Sequence, residues 1–125
     1  MSVLICDDEL MNRKVASKIL KKEGFEVLEA RNAQEAYALL ESEEVKLILM
    51  DLMMPVIDGF EAIVYIKSQK KLAGIPIIII SALSSKDAIL KGLSLNVKAH
   101  LSKPFDIADF VSKVQKYYQR GAYDV

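Results

Sequence analysis

The sequence predicts an α/β fold, a doubly wound parallel sheet with helices on both faces. Three observations lead there. Short apolar runs alternate with longer amphipathic stretches along the whole chain. The apolar runs are continuous rather than alternating with polar residues, as expected of strands buried on both sides of a parallel sheet. The chain has 125 residues, 52% of them hydrophobic, which suits one domain with a proper core and no need of disulfide staples.

The elements follow in order. Val3-Leu4-Ile5-Cys6 is the first buried strand. Leu10–Lys22 carries Val15, Ala16, Ile19 and Leu20 at helical spacing, and Gly24 is placed to stop that helix. Phe25–Glu29 reads as the second strand. Asn32 is an N-cap for a helix over Ala33–Glu41, with Ala36, Leu39 and Leu40 inward. Leu47-Ile48-Leu49-Met50 is the third strand, ending on Asp51. A helix over Phe60–Lys70 turns Ile63, Ile66 and Val64 inward. Ile75–Ile80 is a β-branched fourth strand, with Pro76 near its start, where a missing N–H is tolerated. Ser85–Leu95 reads as a helix, Ala99–Ser102 as a short fifth strand, and Asp106–Gln119 as a last helix with Ile107, Phe110, Val111, Val114 and Tyr118 on one face. These βα units use nearly all of the chain, so residues 1–125 are expected to form a single domain with no effector domain beside it.

Composition narrows the function. Lys plus Arg and Asp plus Glu number 17 each, so nothing marks a nucleic-acid groove or an anionic membrane surface as partner. Apolar runs such as Ile77–Ile80 are far too short to cross a bilayer, and the acids Asp7, Asp8 and Glu9 arrive too early for a signal peptide. Cys6 is the single cysteine and cannot form an internal disulfide, in keeping with a cytoplasmic location. It reads as a small buried hydrophobe, not a redox centre.

Open parallel sheets place their chemistry outside the carboxyl ends of the strands. Here Asp7 and Asp8 follow the first strand, Asp51 the third, Ser81 the fourth and Lys103 the fifth. Three carboxylates brought together repel one another, and a hard divalent cation relieves this through oxygen coordination. With one divalent metal and the Lys103 ammonium, the cluster balances to zero net charge. An aspartate in such surroundings can act as a nucleophile toward phosphorus, where positioning and cations matter more than acid–base groups. No GxxxxGK[ST] phosphate loop is present, so a P-loop nucleotide is not the expected donor.

The run CDDE at 6–9, DLMMPVIDG at 51–59, the SA pair at 81–82 and KPF at 103–105 resemble response-regulator receiver domains of two-component and phosphorelay signalling, in order and spacing over essentially the whole chain. The resemblance implies the flavodoxin-like strand order 2-1-3-4-5. It implies that Asp51 is the phosphoacceptor and that Asp7, Asp8, Asp51 and the backbone carbonyl of Met53 hold Mg2+ or Mn2+. Ser81 would be the hydroxyl that moves toward the phosphoryl group and Lys103 its cationic partner, aimed by a cis Lys103–Pro104 peptide. Pro55 and Gly59 would shape the loop after the acceptor, with Gly59 supplying a backbone conformation that other residues resist. A histidine kinase or histidine phosphotransfer protein would be the donor. Output would reach a protein target through the face built by the helix over 85–95, the strand over 99–102 and the last helix, where Lys86, Lys91, Lys98, Lys113 and Lys116 are candidate contacts. The domain would be a signalling switch, not an enzyme with a separate substrate.

Two positions depart from the family's common pattern. His100 stands where Tyr or Phe is usual, at the switch position that responds to Ser81, and Asn96-Val97 replaces the usual Gly-Ala. Asp58 reads as a turn residue despite its acidity. Two rivals have different chemistry. A pseudo-receiver would bind partners without phosphorylation, yet the acids, hydroxyl and lysine are all intact. A flavodoxin-like cofactor binder would need a phosphate-cradling loop after the first strand, where this chain has carboxylates instead.

Overall fold

A computed structural model of the chain describes residues 2–52, 54, 57–81, 94–103 and 106–120, with the side chains of Gln119 and Arg120 excepted. The elements run β1 (Ser2–Cys6), α1 (Leu10–Lys22), β2 (Glu26–Ala30), α2 (Ala33–Ser42), β3 (Val45–Asp51), α3 (Gly59–Ser68), β4 (Ile77–Ser81), β5 (Ala99–Ser102) and α4 (Ile107–Arg120). All strand pairs are parallel, in the order β2-β1-β3-β4-β5. Every strand expected from the sequence is present, and the strand order is the flavodoxin-like one. The helix expected over 85–95 falls almost wholly outside the described residues.

The continuous apolar runs divide by alternation between two core layers, because successive side chains in a strand point to opposite faces. Leu4, Cys6, Ile48, Met50, Ile77 and Ile79 pack on one face against Ala33, Ala36 and Leu40 of α2 and Ala62, Ile63 and Ile66 of α3. Val3, Ile5, Leu47, Leu49, Ile78, Ile80 and Leu101 pack on the other against Ala16 and Leu20 of α1 and Phe110 and Val114 of α4. Both layers exclude water almost completely, and the buried polar side chains of Asp7, Asp51 and Ser81 stand at the carboxyl ends of the central strands.

Local signals explain the ends of the helices. Gly24 takes φ +93° after α1. The Gly24 N–H donates to the Lys21 carbonyl (3.0 Å) and the Phe25 N–H to the Leu20 carbonyl (3.0 Å), a Schellman stop. Asn32 caps α2 by accepting from the Glu35 N–H at 2.8 Å. Asp58 caps α3 by accepting from the Glu61 N–H at 2.9 Å, which accounts for that carboxylate. Asn96 adopts φ +61°, the left-handed backbone that asparagine tolerates.

Several helix faces differ from expectation. Val15, Val64 and Ile107 are roughly half exposed, not inward. In α1 the buried stripe is Arg13, Ala16, Ser17 and Leu20, which rotates Val15 out to join Leu10 and Met11 on the exposed side.

Candidate functional site

β1 and β3 are neighbours in the sheet, with Cys6 opposite Met50, so Asp7 and Asp51 emerge side by side at the carboxyl edge. β4 lies beyond β3, with Ile80 opposite Asp51, and Ser81 follows at the edge. β5 then brings Lys103, whose backbone N–H donates to the Ser81 carbonyl at 2.9 Å. The strand-end residues singled out from the sequence are thus gathered by sheet pairing at one edge.

Ligand oxygens of Asp7, Asp8 and Asp51 all lie within 4.8 Å of one another. Asp7, Asp51 and Ser81 are buried, whereas Asp8 is exposed. The Lys103 ammonium reaches Asp7 Oδ2 at 2.8 Å and Asp51 Oδ2 at 3.3 Å, bridging the two buried carboxylates. Burial works against the charge on Lys103, but the hydrogen bond to Asp7 and the charges of Asp51 and Asp7 outweigh it, so its pKa lies above the ordinary lysine value. One ammonium does not neutralise three carboxylates. The donor set is wholly hard oxygen, open to solvent at Asp8, and fits a hard divalent cation. Among the described residues, Asp7, Asp8 and Asp51 could hold it.

Cys6 lies directly beneath this edge and is fully buried. Burial, together with the charges of Asp51 and Asp7, pushes its thiol up to about 12. It is an inert core residue, as its sequence context suggests.

Gly59 requires a correction. Its φ is not positive, so it is not needed for an unusual backbone conformation. It is needed for space. A Cβ there would overlap the Asp51 carbonyl oxygen and stand 2.7 Å from Leu52 Cα, because the first turn of α3 runs against the end of β3. The Gly59 N–H also donates to the Leu52 carbonyl at 3.1 Å. His100 is half-buried in β5, and its Nε2 is buried with no hydrogen-bond partner among the described residues. Met53, Pro55 and Pro104, and the candidate contacts Lys86 and Lys91, lie outside the described residues.

Arg13 and Glu29 escaped the sequence reading. Arg13 Nη1 donates to the Asp7 carbonyl at 2.8 Å, and its Nε donates to Glu29 Oε1 at 3.1 Å. The available signal was a cation at the first position of the buried 13-16-17-20 stripe of α1. A cleft of about 450 Å³ between the end of α2 and the approach to β4 lies at the opposite edge of the sheet and touches none of these residues.

A response regulator receiver domain model matches residues 3–115. Among curated proteins, the chain is 32% identical over 121 residues to the probable transcriptional regulatory protein SilR of Salmonella typhimurium, covering 97% of this chain and 52% of that protein. It is 33% identical over 122 residues to the transcriptional regulatory protein CusR of Escherichia coli, covering 98% and 53% respectively. The chain therefore spans about half the length of the curated relatives it matches. The chemotaxis protein CheY4 of Vibrio cholerae superposes with a TM-score of 0.88 at 28% identity, covering 93% of this chain and 97% of that one. A CheY-like receiver domain protein of Methanospirillum hungatei also gives 0.88, at 27% identity, covering 99% and 98%. Sheet order, the acidic edge and the match over residues 3–115 agree, and the chain belongs to the response regulator receiver domain family.

Proposed function

We propose that residues 1–125 form one receiver domain that accepts a phosphoryl group on Asp51, in a Mg2+-dependent transfer from a phosphohistidine on a histidine kinase or histidine phosphotransfer protein, and thereby switches a protein-binding surface. The observation that carries this reading is the convergence of the Asp7, Asp8 and Asp51 carboxylates with the Lys103 ammonium. Mg2+, or Mn2+ in its place, would be held by those carboxylates and the Met53 carbonyl, and supplies charge to the phosphoryl oxygens when bound.

The chain's own groups do the rest. An Asp51 carboxylate oxygen forms the new O–P bond as the P–N bond to the donor imidazole breaks, and the electron pair of that bond stays on the imidazole. Lys103 keeps its proton and offers its ammonium to the incoming negative charge. The Ser81 hydroxyl, one residue beyond the partner of Asp51 in the sheet, hydrogen-bonds a phosphoryl oxygen. Drawing Ser81 and Lys103 inward shifts β4 and β5 and alters the packing at His100, the switch position. The changed face includes β5 and α4, with Lys98, Lys113 and Lys116 as contacts for a protein target, in the cytoplasm. Leu10, Met11 and Val15 on α1 and Ile107 on α4 leave exposed apolar side chains for a protein donor. No helix among the described residues is long and apolar enough to cross a membrane. The domain acts as a signalling switch that turns over its own phosphoryl group.

The test is an intact mass measurement after incubation with Mg2+ and acetyl phosphate. One phosphoryl adduct is expected, absent in Asp51→Asn and absent with a chelator. An unchanged mass with both acetyl phosphate and a competent phosphohistidine donor overturns the reading and leaves a pseudo-receiver that binds partners without phosphorylation.

A further inference from the structure

We infer that Arg13 is a positioning residue for the acidic site: clamped by Glu29, its buried guanidinium holds the Asp7 carbonyl and so sets the turn from which Asp7 and Asp8 present their carboxylates. The inference rests on the metal-binding reading proposed above.

Arg13 lies on the inward stripe of α1 at 7% exposure, a place where an arginine persists only if paired. Its partners come from two directions. Glu29 in β2 accepts from its Nε at 3.1 Å, and the Asp7 carbonyl accepts from its Nη1 at 2.8 Å. Glu29 also pairs with Lys14 at 3.1 Å. Burial raises the Glu29 pKa, but the hydrogen bonds from Lys14 and Arg13 outweigh this and hold it below the usual carboxylate range, so Glu29 is a charged anchor.

The consequence falls on Asp7, whose polar groups are all held. Its N–H donates to the Ala30 carbonyl at 3.0 Å, Oδ1 accepts from the Glu9 N–H at 2.9 Å and Oδ2 from Lys103 at 2.8 Å. The carbonyl is the group held by Arg13. A peptide unit is planar, so fixing the Asp7 carbonyl fixes the whole plane that leads into Asp8. This matters most for Asp8, which is exposed and whose carboxylate bonds no other described residue. Its aim toward Asp51 is set by the backbone that Arg13 holds. Groups that orient metal ligands in this way act on affinity through geometry.

Charge and geometry predict opposite signs here. Removing the cation bonded to the Asp7 carbonyl should tighten Mg2+ binding through space. Releasing the Asp7 carbonyl should weaken it. A residue serving only stability would lower the melting temperature and leave the affinity of the folded protein unchanged.

The experiment titrates Mg2+ into the full chain by calorimetry, for wild type, Arg13→Met, Arg13→Gln and Arg13→Lys, at a temperature where parallel melts show each folded. Arg13→Met and Arg13→Gln are expected to weaken Mg2+ about tenfold. Arg13→Lys keeps the charge but cannot hold both partners in the same fork, and its affinity is expected between those variants and wild type. Unchanged or tighter binding in a folded Met or Gln variant overturns the inference. Should both of those unfold, Arg13→Lys decides, since its charge is intact: severalfold weaker binding supports positioning and unchanged affinity overturns it. A wild type that binds no Mg2+ overturns the metal reading and the inference together. A wild type that binds Mg2+ and takes up phosphate, with Arg13 variants of undiminished affinity, overturns the inference alone.

Discussion

At the end of β1 every polar group of Asp7 has a partner, whereas in β5 the ring of His100 leaves a buried nitrogen without one among the described residues. Both regions border the same carboxyl edge, but they are finished differently. The β1 end is fastened from β2, from α1 and from Lys103, an arrangement suited to holding ligands in one geometry. The β5 end holds a buried nitrogen that no described residue compensates, and such a group favours any rearrangement that gives it a partner or returns it to water. The difference teaches where a receiver domain can be rigid and where it can move. Asp7 is held on every side, whereas the His100 ring in the strand proposed to relay the change is not.

Substitutions can break this comparison. The largest effect is expected for Lys103→Met. It leaves Asp7 and Asp51 buried without their shared cation, at a cost of about 3 kcal/mol at neutral pH, read from denaturant unfolding. Added Mg2+ should recover more stability in this variant than in wild type. The pH dependence has a definite sign. Because the folded Lys103 pKa is raised above 10.5, its stabilising contribution is fully present below that pH and is lost as pH rises through the folded value. Wild type should therefore lose part of its advantage over the variant in strong alkali. A Lys103→Met protein as stable as wild type would show that the β1 end is not held by this pair.

A smaller effect of opposite sign is expected in β5. His100→Phe replaces by carbon a buried nitrogen that has no partner among the described residues, and should stabilise the domain by about 1 kcal/mol. A loss of stability in thermal or urea melts would mean that the histidine is satisfied in solution, and the contrast between the two ends would vanish. The smallest expected response is none. Cys6, beneath the fastened end with its thiol pushed up to about 12, should resist iodoacetamide at pH 8 in the folded protein and react once unfolded. Fast labelling under native conditions would reveal opening at the β1 end.

Much of the fold is legible in the sequence itself. Strands such as Leu47–Met50 declare themselves because a buried parallel strand has no polar face to interrupt it. Gly24 and Asn32 mark helix ends because their chemistry satisfies backbone groups locally, whereas Asp58, which reads as a turn residue, is the N-cap of α3. The helix faces were less legible. Val15 and Val64 are apolar yet exposed, because which side of a helix turns inward depends on the sheet it meets. Gly59 looked like a conformational requirement and proved to be a steric one, because the atoms it must avoid, the Asp51 carbonyl oxygen and Leu52 Cα, belong to another element.

The residues of the acidic edge were readable one at a time, since Asp7, Asp8, Asp51, Ser81 and Lys103 each end or follow an apolar run, and runs of that kind form a parallel sheet with functional groups at its carboxyl edge. Their distances, the bridging of Asp7 and Asp51 by one ammonium and the hold of Arg13 on the Asp7 carbonyl arise from strand order and helix docking. These are contacts between residues far apart in the chain. Local composition decides which elements form, because propensity and capping act over a few residues, whereas the partner of a buried charge is chosen by packing across the whole domain.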